Sequence, residues 1–174
     1  MALVHLIRHA RPAVSGVMLG QLDSPLAEFT QTPLNLAVVC LFTSPLLRAL
    51  QTAELLFPGR SLTILPDLAE ITLGEWDGKK WQQIETEWPD LATAKLKNWT
   101  GVTPPGGEPW PDFERRVRRA WQTVIAAPAP CAIVAHAAVN SVLYRLATGL
   151  EQQRQQEYCE VISIEIVPHH AHGE

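Results

Sequence analysis

Strand-length apolar runs recur along this chain with helical periodicity between them, and that alternation constrains its fold more than any other feature. The runs are Ala2–Ile7, Leu36–Phe42, Leu62–Leu65, Cys131–Ala135 and Val161–Val167. The first, second and fourth are nearly all apolar, the pattern of strands covered on both faces in a parallel sheet. Pro45–Phe57 gathers Leu46, Leu47, Leu50, Ala53 and Leu56 on one side. Asp112–Ala127 repeats Phe113, Val117, Ala120, Trp121, Val124 and Ile125 at helical spacing, and Val139–Leu150 repeats Val142, Leu143 and Leu146 before a C-cap at Gly149. Strand alternating with helix predicts an α/β chain, a three-layer α/β/α sandwich around a mostly parallel sheet. At 174 residues it reads as one domain over 1–174. The tryptophan-rich stretch 76–110 then forms a helical and loop excursion over one end of the sheet.

Composition closes off several functions. The net charge of -4 disfavours a nucleic-acid partner, whose binding domains carry a basic excess. No apolar run reaches the ~18 residues of a membrane span, and Arg8 and His9 interrupt the first run too early for a leader peptide. Cys40, Cys131 and Cys159 lie in or beside apolar stretches without metal-binding spacing. They read as reduced thiols of a cytoplasmic protein. No cofactor or metal is expected, and oligomeric state is not legible. His169, His170 and His172 belong to a tail, 168–174, expected to be flexible.

Ligands of open α/β sheets bind beyond the carboxyl ends of the strands. There the first strand delivers Arg8, His9 and Arg11, the second Thr43, Ser44 and then Arg48, and the fourth His136. Ser44 and Pro45 predict a helix start that puts Arg48 beside free N–H groups, a combination suited to an oxyanion. Taken singly, Arg48 reads first as a surface ion pair on a capped helix and His136 first as a structural histidine. His9 is harder to explain away, because neighbouring cations depress its pKa and keep it neutral and nucleophilic.

The ordered set "LIRHA", "SPLLRALQTAELL", "LAEITLGEWDG" and "IVAHAAVNSVL" resembles the histidine phosphatase superfamily, with its phosphoglycerate mutase-like fold. The resemblance implies that His9 is the phosphorylated nucleophile. It makes Arg8 and Arg48 phosphate clamps, His136 the second histidine of the site, and Glu70 the proton donor. By spacing alone Glu75 and Asp77 compete with Glu70. Arg11, Ser15, Gln21 and Ala137 are further candidate contacts. The chain departs from the family at Ala10, where glycine is usual, and between Leu26 and Leu36, which is short for the family's helix. It also lacks room for the segments that mutases add, which favours a phosphatase. "GQLDSPLAE" is similar to a segment of α-ribazole phosphatases, implying a small phosphate ester, α-ribazole 5′-phosphate, as substrate. A sugar phosphatase and a non-catalytic phospho-ligand binder are the alternatives. Trp76, Trp81, Trp88 and Trp99 read as helix-packing residues before base-stacking ones. Arg115, Arg116, Arg118 and Arg119 read as a solvated face with Asp112–Arg116 and Glu114–Arg118 pairs.

Overall fold

The computed structural model describes residues 2–28 and 31–166; the tail 168–174 and its three histidines lie outside them. Five strands form one sheet: β1 (Ala2–Arg8), β2 (Cys40–Thr43), β3 (Thr63–Ile64), β4 (Cys131–Ala135) and β5 (Val161–Ile166), in the order β3-β2-β4-β1-β5. Only β5 is antiparallel, pairing with β1. Its sequence says why it can sit at an edge. Ile162, Ile164 and Ile166 face the core while Ser163 and Glu165 are exposed, so one face is wet.

The two faces of the sheet carry different layers. Val4, Leu6, Phe42, Ile133 and Ala135 point one way, onto α4 (Trp110–Ala126) and α5 (Ala137–Thr148), and into a core with Phe113, Val117, Trp121 and Leu143. Ile7, Leu41, Ala132 and Val134 point the other way, onto α1 (Leu47–Leu56) through Ala49, Ala53 and Leu56. The alternation follows from the period of two in every strand. α5 ends on Gly149 as its sequence predicts, whereas Ile125 is half exposed on α4. Between β3 and α4 run α2 (Trp81–Glu87), α3 (Pro89–Lys97) and a loop, which together make the 76–110 excursion. Trp76 is fully buried there, edge-on to Trp81 and tilted against Trp88. No helix of the described residues is long and apolar enough to cross a membrane.

Two expectations need correction. The run Leu36–Phe42 is not one strand: β2 begins at Cys40, and 31–39 is irregular. Leu34, Leu36 and Val38 are apolar because they pack beside α1, covering the sheet where a second helix would lie. Helix α1 starts at Leu47, with Leu46 at the cap position, rather than at Ser44. Asp23 Oδ1 accepts from Leu47 N at 2.7 Å, and Ser44 Oγ accepts from Leu46 N. A carboxylate of this chain therefore occupies the helix end that the sequence offered to an anion. The cysteines are free, with Cys40 directly opposite Cys131 across β2 and β4.

Gly74 joins the excursion to the loop after β3. It has φ +60, and a Cβ there would meet Pro105 O at 2.2 Å and Gly106 C at 2.3 Å. Both neighbours are backbone and cannot swing aside. Gly74→Ala is expected to lose at least ~2 kcal/mol, from strain and collision together. Gly16→Ala, at φ +72 in open space, is expected to lose only ~1 kcal/mol. Urea unfolding of the two variants checks the difference.

Candidate active site

Register brings the strand ends together. Arg8 is opposite Ala135 and Thr43 opposite Val134. His9 N then donates to Ala135 O at 2.9 Å and Ser44 N to Val134 O at 3.1 Å. The residues just past β1, β2 and β4 thus meet at one edge, and the rings of His9 and His136 lie 5.1 Å apart.

A cleft of about 280 Å³ opens there, bordered by Arg8, His9, Arg48, Glu70, Ala137 and the 17–20 loop. His9 is 4% exposed. Its Nδ1 lies 2.6 Å from Ala10 O, and a carbonyl only accepts, so Nδ1 carries the proton and Nε2 keeps its lone pair. Burial first, then Arg48 and Arg8, lower its pKa to about 3, against the raising effect of the Ala10 bond. Burial also holds His136 well below the ordinary value, helped by His9 and the arginines. Its Nε2 meets Ser44 Oγ at 2.7 Å, while the buried Nδ1 has no partner among the described residues.

The cations are held by backbone rather than by acids. Arg48 is 1% exposed and donates to Leu22 O and Gly20 O, each at 2.8 Å. Arg8 donates to Gln156 O at 2.5 Å and lies 4.1 Å from the centre of the Tyr158 ring. Among the described residues neither makes an ion pair, and the Nε of each is buried without a partner. A buried and a half-buried guanidinium with donors to spare match the oxygens of a phosphate.

Of the three competing acids only Glu70 borders the cleft. It accepts from Ile71 N at 3.0 Å and from Ala138 N, in the first turn of α5, at 3.2 Å. Desolvation nevertheless raises its carboxyl above the usual range, outweighing those bonds and the nearby Arg48 and Arg116. Asp77 is consumed by its own loop, accepting from Leu73 N and Thr72 Oγ1, and Glu75 is exposed. Gln21 touches the site indirectly, through a bond from its amide to Glu70 O. Arg11 and Ser15 are exposed and do not border the cleft. Ala10 is buried behind His9, bonded through its N–H to Thr52 Oγ1, so its methyl group does not narrow the cleft.

The arginine face of α4 corrects the sequence reading. Arg116 is 12% exposed at its side chain and pairs with Glu108 rather than Asp112. Its Nη1 and Nη2 also donate to Asp67 O, Ala69 O and Glu70 O. It therefore anchors the loop that carries Glu70. Asp112 pairs with Arg115, Asp67 with Arg119 and Glu114 with Arg145; only Arg118 is simply solvated. Trp99 and Tyr158 also border the cleft, 43% and 40% exposed. The sequence pointed to Trp99 only as one of four tryptophans and gave no signal for Tyr158.

The fold is phosphoglycerate mutase-like, and the donor set at its sheet edge suits the oxygens of a phosphate group. The chain belongs to the histidine phosphatase superfamily (branch 1), whose family model matches residues 4–173. It is 33% identical over 114 residues to the bifunctional protein Rv2228c of Mycobacterium tuberculosis, covering 63% of this chain but only 31% of that protein. It is 31% identical over 130 residues to the adenosylcobalamin/alpha-ribazole phosphatase of Salmonella typhimurium, covering 66% of this chain and 62% of that one. The crystal structure of the alpha-ribazole phosphatase from Shigella flexneri superposes with a TM-score of 0.83 over 95% of this chain and 91% of that one. At 24% identity it shows the shared fold.

Arg116→Lys keeps the charge but not the fork that reaches three carbonyls and Glu108. It is expected to cut kcat/KM for an alkyl phosphate by roughly tenfold, with Arg118→Lys within twofold of the native protein. Steady-state kinetics on the two purified variants checks this.

Proposed function

We propose that the chain is a phosphomonoesterase that works through a phosphohistidine on His9, with α-ribazole 5′-phosphate as its favoured substrate and the cytoplasm as its location. The observation that carries the reaction is the pairing of a neutral, hydrogen-bonded His9 with two arginines, Arg48 buried and Arg8 half-buried, that lack carboxylate partners among the described residues. Phosphoryl transfer asks mainly for in-line positioning and neutralised oxygens. Arg8 and Arg48 supply cationic forks, and His136, with Ser44 donating to its Nε2, presents Nδ1–H.

His9 Nε2 forms a bond to phosphorus as the ester P–O bond breaks. Desolvation raises the pKa of Glu70 and so favours the protonated carboxyl, which gives its proton to the departing oxygen. Water then attacks the phosphohistidine, Glu70 takes up its proton, and orthophosphate leaves with His9 restored. The chain's own cations do the electrostatic work, so chelators are expected to leave the rate unchanged.

For the substrate, support comes from the 31% identical Salmonella relative and from the mouth of the cleft. Trp99, Tyr158, Val17, Met18 and Leu19 border it beyond the phosphate end. That wall offers aromatic faces to a flat base and no charged group for the amino or carboxylate end of a charged small ester. Ranking phosphate esters by kcat/KM tests the choice. A benzimidazole nucleoside 5′-phosphate should lead, and Trp99→Ala should narrow its lead over a hexose phosphate; a preferred hexose phosphate would replace this substrate.

The proton donor is tested by leaving group. An alkoxide needs a proton and a nitrophenolate does not, so Glu70→Gln should lower kcat/KM by ~10²–10⁴ for a nucleoside 5′-phosphate. The loss for p-nitrophenyl phosphate should be far smaller, and equal losses would remove Glu70 from that role.

A further inference from the structure

Arg8 is aimed by a segment far away in the chain, the turn 154–160 between α5 and β5. Most of that turn is exposed, yet Gln156 at its centre is 1% exposed. Its amide spends both donors and its acceptor on three different elements. Nε2 donates to Leu6 O on β1 at 2.9 Å and to Glu160 O at 2.7 Å, and Oε1 accepts from Asn140 Nδ2 on α5 at 2.9 Å. Its backbone carbonyl receives Arg8 Nη1. On either side, Cys159 N donates to Arg8 O at 3.0 Å, and the Tyr158 ring covers the face of the guanidinium. Cys159 adopts φ 59, a left-handed conformation that a non-glycine residue holds only when its surroundings fix it. Arg154 and Glu160 brace the outside of the turn.

We propose that this turn, keyed by Gln156, is a positioning device for the phosphate site and acts through Arg8. It fixes one edge and one face of the guanidinium, leaving Nε and Nη2 for phosphate oxygens. Arg48 depends instead on the carbonyls of Gly20 and Leu22, so the two clamps are set by separate parts of the chain. The inference rests on reading the cleft as a phosphate site.

The test is a double-mutant cycle on inorganic phosphate binding, measured by calorimetry, with folding followed by circular dichroism. Gln156→Met keeps length and removes the amide; it is expected to weaken phosphate at least fivefold in the native background and less than 1.5-fold beside Arg8→Ala. Equal weakening in both backgrounds makes Gln156 merely structural and overturns the proposal. Tyr158→Leu, at an exposed position, is expected to show the same dependence on Arg8. If Gln156→Met does not fold, additivity of Tyr158→Leu with Arg8→Ala overturns the proposal. Failure of the native protein to bind phosphate would count against the phosphatase reading; binding without coupling counts against this one alone.

Discussion

Burying a guanidinium without a carboxylate is the constraint around which this molecule is arranged. Arg48 is almost wholly inside, and its charge is met by two carbonyls from the loop that follows β1. For that loop to reach it, Asp23 must cap α1 and Gly20 must pass close to Asp77. Asp77 in turn ties the 72–77 loop, next to Glu70. One desolvated cation thus helps fix the positions of two loops that have little periodic structure of their own. A residual charge remains, because carbonyl dipoles solvate a cation without neutralising it.

Burial dominates the protonation of the groups around Arg48, and that residual charge adds to it at the histidines and opposes it at Glu70. His9 and His136 are held neutral, and desolvation raises the carboxyl of Glu70 above the usual carboxylate range despite the cations nearby. The two kinds of group pull stability in opposite directions with pH. Between about 6.5 and the depressed value of His9, the unfolded chain binds a proton that the native one refuses. The stability present above pH 6.5 is therefore lost as pH falls through that window. Glu70, raised, behaves in the reverse sense and binds its proton more tightly in the native state.

Much of this was readable from residue order, and the failures have physical causes. β1, β4, β5 and α4 announce themselves by period, and the residues just beyond the strand ends are local in sequence, so Arg8, His9, Arg48 and His136 stood out. Leu34, Leu36 and Val38 read as a strand because an irregular cover over a sheet is as apolar as a strand. Arg116 read as a surface residue because its partners are the carbonyls of residues 67–70, which leave no mark in side-chain pattern. Gln156 and Tyr158 sit in a turn without periodicity, and their importance lies in contacts about 150 residues away. Spacing leaves Glu70 level with Glu75 and Asp77; the family resemblance singles it out, and its side chain is the one of the three that borders the cleft.

The unneutralised pair Arg8 and Arg48 also ties the folded state to the chemistry of its surroundings. Free orthophosphate carries the same oxygens as an ester, so under the proposed reaction the product of turnover would be a ligand of the native fold and not of the unfolded chain. At a hundred times its dissociation constant, such a ligand adds about 2.7 kcal/mol to stability. Melting temperature should therefore climb with phosphate concentration, and less steeply in Arg48→Leu. In that variant the site loses its buried cation, and the carbonyls of Gly20 and Leu22 lose their donor. The cation that ties these loops together is thus also the point through which a bound anion would steady the fold.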